Sequence, residues 1–163
     1  MSKKPDVKSS FTFRDQLFHI DWYDIHDGEL PDLPWQQVYA IGDVDGLVPI
    51  VHYPGDDNDN LPGGRSEPGE TIEQTLVREL DEEIKAKVIS WYPLGYQDGI
   101  NTDGKRIYQL RVYAKLTIDD KFVKDPGGSV IGHSLVPLEE LNQHIKWGEI
   151  GDRLVDMVLR LKK

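Results

Sequence analysis

Glu79, Glu82 and Glu83 lie inside the run LVRELDEEIKA at 76–86. On a helix, at about 100° per residue, positions i, i+3 and i+4 share one face, and Asp81 points elsewhere. Like charges so placed repel by about 0.2–0.5 kcal/mol per pair. One meaning of such a run is a solvated acidic face, the commoner explanation for clustered charge. The other is that a cation belongs there. Carboxylates are hard oxygen donors, and several at close quarters suit Mg²⁺ or Mn²⁺. Ahead of the run stands PGDDNDNLPGGRSEPGE at 54–70, rich in Gly and Pro and without periodicity. It reads as a loop whose backbone can come close to whatever the carboxylates hold.

A helix must present those carboxylates. Ile72, Leu76, Leu80 and Ile84 recur at i, i+4, i+8 and i+12, with Val77 at the edge of the stripe, so the spacing predicts a helix over 71–86 packed on a core. Upstream, VYAIGDVDGLVPIVHY at 38–53 places two β-rich runs around Asp45-Gly46 and predicts a hairpin. Residues 11–37 read as short strands or an irregular arm, and 1–10 as a flexible tail. Downstream, strands are expected at 88–97 and 106–118, separated by a turn region at 98–105. A loop follows at 119–134, then helices at 137–145 and 149–163. Nothing in the composition divides the chain, so one domain over 1–163 is expected.

The 163 residues suffice for a hydrophobic core, and 38% hydrophobic residues separate the chain from disordered ones. No apolar run approaches the ~18 residues of a bilayer span, so no membrane partner is expected. The formal charge of −10 disfavours a nucleic-acid polymer, which needs a basic footprint. With no cysteine there is no disulfide, thiolate metal site or cysteine nucleophile. That absence and the polar N-terminus lead to a cytoplasmic expectation. A homodimer is compatible with the composition.

From Gly64 the chain reads GRSEPGETIEQTLVRELDEEIKA. This closely resembles the Nudix signature GX5EX7REUXEEXGU, in which U is aliphatic. Gly64, Glu70, Arg78-Glu79, Leu80 and Glu82-Glu83 fall on its fixed positions, and Ala86 stands less closely for the last aliphatic. Lys85 alone departs, where the family has Gly. From average residue usage such a match arises by chance with probability on the order of 10⁻⁴. The resemblance implies an αβα sandwich around a mixed β-sheet, with the box forming loop–helix–loop. It implies a hydrolase that uses water and Mg²⁺ (or Mn²⁺) to cleave a nucleoside diphosphate linked to another group.

Carried over residue by residue, Glu82 and Glu83 would be principal metal ligands and Glu79 a further ligand or the base. The Gly63 carbonyl would be an auxiliary ligand. Arg78 and Glu70 would pair and orient Glu79, and Arg65 is a candidate phosphate contact. Family members add an acid from a later loop, and Asp125 is the acid available here. The family Gly ends the helix in a left-handed conformation, which costs a non-Gly residue roughly 1–2 kcal/mol. The expected response at Lys85 is a reshaped helix end running to Lys87.

The substrate is less legible. Thr102 occupies the place, about sixteen residues past the box, where ADP-ribose and diadenosine polyphosphate hydrolases respectively carry a proline or a tyrosine. No coenzyme A motif stands upstream, and the isopentenyl-diphosphate isomerase branch needs a cysteine. What remains is a small nucleotide, with (deoxy)nucleoside triphosphates the nearest candidates. Trp35, Tyr39, Trp91, Tyr92, Tyr96, Tyr108 and Trp147 are the aromatics that could recognise a base. The alternative is a Nudix-fold binding or regulatory module that has lost catalysis.

Overall fold

The structure, a computed structural model, describes residues 3–54, 59–119, 130 and 132–163. Its strands are β1 (Val7–Phe13), β2 (Gln16–Asp24), β3 (Gln37–Asp43), β4 (Leu47–His52), β5 (Gly63–Arg65), β6 (Ala86–Asn101), β7 (Arg106–Ile118) and β8 (Gly132–Pro137). Its helices are α1 (Ile72–Ile84), α2 (Leu141–Ile145) and α3 (Gly148–Leu161), with a 3-10 turn at Leu138–Glu140. Six strands form a mixed sheet in the order β1-β2-β6-β7-β3-β5, and β4 pairs separately with β8. Among the described residues no helix is long and apolar enough to cross a membrane.

Alternation along β3 and β7 makes the layers. Val38 and Ala40 of β3, with Leu110, Val112, Ala114 and Leu116 of β7, join the core under α1. Ile41 and Tyr113, one residue out of phase, join the core under α2 and α3. Successive strand side chains point to opposite faces, so one sheet serves both helical layers. Leu76, Leu80 and Ile84 of α1 are buried as the stripe requires, while Val77 at its edge stays exposed.

Several sequence expectations need correction. Residues 1–10 are not all tail, because Val7–Ser10 belong to β1, which pairs with β2 from Val7↔Trp22 to Phe13↔Gln16. Most of β1 is solvent-exposed, so no apolar alternation announces it; backbone pairing and a Phe11–Phe18 ring stack hold it. The turn at Asp45-Gly46 forms, both residues having positive φ, but its arms do not continue as a hairpin. β3 already has β5 on one edge and β7 on the other, which leaves β4 to pair with β8. β8 itself lies partly in the expected loop, and β5 lies in the other. The strand expected at 88–97 runs on through Asn101 as β6, because Asp98–Asn101 pair with Arg106–Tyr108 and β2.

The end of α1 differs as well. Lys85 adopts the left-handed conformation (φ 52°, ψ 39°), and its N–H donates to the carbonyls of Asp81 and Leu80. The helix therefore does not run to Lys87. Lysine takes the backbone geometry of the family glycine, because the chain must turn there to enter β6 at Ala86.

Candidate functional site

Thr71 caps α1 reciprocally: its hydroxyl accepts from the Gln74 N–H at 3.1 Å, and its own N–H donates to Gln74 Oε1 at 3.0 Å. This fixes the helix start against the loop that carries Glu70. Two turns on, Arg78 gathers that loop. Its Nε donates to Glu70 Oε2 at 2.7 Å and its Nη2 to Glu70 Oε1 at 2.9 Å, a two-pronged pair. Nη2 also donates to the Arg65 carbonyl at 2.9 Å. Nη1 donates to Glu79 Oε1 at 3.1 Å and Glu82 Oε2 at 3.3 Å. The Arg78 bonds hold the Glu70 carboxyl down at about 2, and the same carboxylates raise the guanidinium's pKa.

The Arg78–Glu70 pair expected from sequence is present, and it positions Glu79. The Glu79 carboxyl lies over Gly64, where a Cβ would come within 2.5 Å of it. Next door, the Gly63 N–H donates to Glu83 Oε1 at 2.7 Å, and Tyr53 Oη donates to Glu83 Oε2 at 3.4 Å. Burial, then the Glu83 charge, raises the Tyr53 phenol. Gly63 has φ +150°, and a Cβ there would collide with the Val38 carbonyl. The two glycines thus let the edge strand β5 and the carboxylates of α1 approach more closely than side chains would permit.

The three glutamates do not converge on a point. Glu79 and Glu82 share Arg78, while Glu83 turns to the Gly63 backbone. Among the described residues no three carboxylate or imidazole groups are close enough together to hold a metal. Arg78 holds Glu79 and Glu82, and the Gly63 N–H draws Glu83 away from them. In kind, however, the donors fit Mg²⁺ or Mn²⁺, being hard oxygens beside two glycines whose missing Cβ atoms let backbone and carboxylate come close. Asp125 lies outside the described residues.

Arg65 and its surroundings form a cleft of about 310 Å³, lined also by Trp35, Gln37, Ser66 and Lys105. Tyr96 and Tyr108 meet Trp35 edge-on and hold it. Of the other aromatic candidates, Trp91 donates to Glu73, and Tyr92 borders a groove of about 350 Å³ beside α3. That groove is larger but touches no residue of the box. Its Arg153 already pairs with Asp24, and its Arg160 with Asp156. Tyr39 lies against Gly63.

Sequence reasoning missed Arg111. It lies on β7 between Leu110 and Val112, buried, with the Tyr39 and Trp147 rings against it. The signal was a charge set directly between two apolar residues, Leu110 and Val112, in the run RIYQLRVYAKLTI.

A protein-family model for the NUDIX domain matches residues 42–157. A search of the curated proteins finds no match. Among solved structures, the chain is similar to the Bacillus subtilis pyrophosphohydrolase BsRppH, at 22% identity, 94% of this chain, 96% of that one and a TM-score of 0.65. It is also similar to a NUDIX hydrolase from Nitrosomonas europaea, at 17% identity, covering 80% and 92% of the two chains with a TM-score of 0.62. A MutT NUDIX hydrolase from Burkholderia pseudomallei gives 19% identity, 78% and 99% coverage and a TM-score of 0.59. At these identities the likeness shows the fold, a mixed sheet between helical layers. The family model covers well over half of the sequence and includes the whole Gly64–Glu83 constellation, and on that ground the chain belongs to the Nudix family.

Proposed function

We propose that this chain is a divalent-metal-dependent pyrophosphohydrolase. Water attack at phosphorus would cleave a nucleoside diphosphate linked to another group, with a (deoxy)nucleoside triphosphate the nearest candidate. Hydrolysis of a phosphorus anhydride is the chemistry of the Nudix family to which the chain belongs. The metal and the substrate are our reading.

One observation carries it: a single guanidinium, Arg78, holds Glu70 by two bonds while also bonding Glu82 and Glu79, whose carboxyl lies over Gly64. A solvated acidic face has no use for that tether. Glu79, Glu82, Glu83 and the Gly63 carbonyl would hold the cation, which when bound supplies charge neutralisation at the diphosphate and a more acidic attacking water. Glu79, kept in place by Arg78, is the candidate proton acceptor from that water. Arg65 faces the adjoining cleft, where its charge suits a phosphate oxygen. The formal charge of −10 supports a small nucleotide rather than a polymer as substrate.

The test is phosphate release from nucleoside triphosphates, ADP-ribose, nucleotide sugars and dinucleoside polyphosphates, each with Mg²⁺ and with Mn²⁺. Metal-dependent turnover of at least one, abolished by chelator, is expected. No turnover of any at high enzyme concentration would favour the binding or regulatory module instead.

A further inference from the structure

The two ends of the six-stranded sheet are unequal. At one end β5 is three residues long, and its Gly63 N–H is taken by Glu83. At the other end stands β1, seven residues paired to β2 without a bulge. Among the described residues no strand lies on its outer edge. Natural sheets protect such an edge by shortness, proline, a bulge or charge. The one charge in β1, Lys8, is paired with Asp21 at 3.3 Å. The stretch SSFTF at 9–13 has neither charge nor proline.

The hairpin decides which backbone groups face outward. Arg14 and Asp15 alone join β1 to β2, and both have positive φ, as a two-residue type I′ turn requires. Such a turn makes Phe13 and Gln16 exchange both hydrogen bonds, and bonded and non-bonded pairs alternate from there. Phe11 and Ser9 therefore bond to β2, while Thr12, Ser10 and Lys8 turn their N–H and C=O groups to the outer edge.

One register satisfies all three. A second β1 laid antiparallel about a twofold axis at Ser10 sets Ser10 against Ser10 and Lys8 against Thr12 twice. Arg14 of each copy then faces Asp6 of the other, opposite charges at both ends. A shift by two residues one way would face Lys8 with Arg14, like charges. The same shift the other way would set Thr12 against Asp6, whose N–H already donates to the Trp22 carbonyl at 2.8 Å. The aromatic side chains agree with the first register. Phe11 and Phe13, 41% and 55% exposed, share one face of the edge, with Phe18 stacked on Phe11 at 5.1 Å. Phe11 would lie diagonal to Phe11 of the second copy, within reach of a ring contact, and Phe13 opposite Val7.

We propose that β1 is the interface of a homodimer, in which two copies pair antiparallel about a twofold axis at Ser10 and join their sheets edge to edge. The contact is isologous, so it closes on itself and leaves no further edge of this kind. The box lies at the β5 end of the sheet, so pairing leaves the acidic turns of both copies uncovered. The interface is independent of the reaction proposed above.

Sedimentation equilibrium of the full chain and of Ser10→Pro, Thr12→Lys and Thr12→Glu tests it, with circular dichroism and thermal unfolding of each. The wild-type mass should rise toward twice the 18.6 kDa of one chain across the micromolar range. A single-chain mass throughout that range would overturn the proposal and leave the edge to a strand of another protein. Ser10→Pro removes an N–H that the hairpin does not use, so the fold should survive while the dimer Kd rises by about tenfold or more. Thr12→Lys sets like charges against Lys8 at both ends and should weaken the dimer by about threefold or more at low salt. Thr12→Glu sets opposite charges there and should tighten it by a similar factor. If Ser10→Pro fails to fold, these opposite signs decide alone. A dimer that none of the three changes affects lies on another surface and overturns the proposal. Shifts of the same sign in Thr12→Lys and Thr12→Glu overturn it too, because the register would then be wrong.

Discussion

Arg78 and Arg111 put the same side chain to opposite uses. Arg78 stands within ion-pair reach of Glu67, Glu70, Glu79 and Glu82, at 3.9, 2.7, 3.1 and 3.3 Å. Arg111, more deeply buried, meets amide oxygens and two rings. Their pKa values move accordingly, Arg78 upward with its carboxylates and Arg111 downward with burial. An arginine surrounded by carboxylates is a tether, and removing it should disturb geometry at several points. An arginine buried among amides and rings is part of the packing.

The sharpest break of the comparison is Arg78→Met. Activity should fall by about 10²–10³, as for loss of other preorganised electrostatic groups. Stability should fall by about 1–3 kcal/mol, because carboxylates lose their charged donor in a partly shielded place. Steady-state kinetics and denaturant unfolding check both.

Gly64→Ala separates positioning from folding. The added Cβ meets the Glu79 carboxyl at 2.5 Å, and that flexible end can swing aside. The fold should survive nearly unchanged, while displacement of Glu79 costs about 10² in kcat. A fall in Tm with full activity would contradict this use of the glycine.

The tether also predicts a pH dependence. Glu70 has its folded pKa lowered from 4.5 to about 2, chiefly by the Arg78 bonds. A depressed carboxylate contributes stability above its unfolded pKa and loses it as pH falls toward the folded one. The wild type should therefore lose stability between about pH 4.5 and about pH 2, and Glu70→Gln should be flatter over that window. Parallel acid limbs by circular dichroism would count against the tether.

The box was legible because its spacing is local. Helix periodicity put Leu76, Leu80 and Ile84 on one face and the glutamates on another, and the Arg78–Glu70 pair followed from the signature. The rest depends on pairing between distant strands. Nothing in Val7–Phe13 says that β2 will receive it, and nothing near Asp45-Gly46 says that β3 has both edges taken. Arg111 was likewise hidden, because a charge in an alternating strand that also carries Arg106 and Lys115 is alarming only once that part of the strand is known to be buried on both faces. Lys85 shows the reverse error: the local cost of left-handed lysine was legible, but the turn into β6 decided the conformation. Lys85→Gly should relieve the strain against glycine's greater loss of freedom, stabilising by about 0.5–1 kcal/mol. It is the smallest effect expected here, and chemical denaturation can resolve it.

The central claim is that the acidic turn exists to hold a cation. Thermal unfolding of the wild type and Glu82→Gln, each with excess Mg²⁺ and with chelator, tests it most directly. Without metal the variant should be as stable as the wild type or slightly more so, because one repelling charge is gone. With Mg²⁺ the wild type should gain stability by mass action and the variant less. Equal Mg²⁺ shifts in the two proteins would contradict the account.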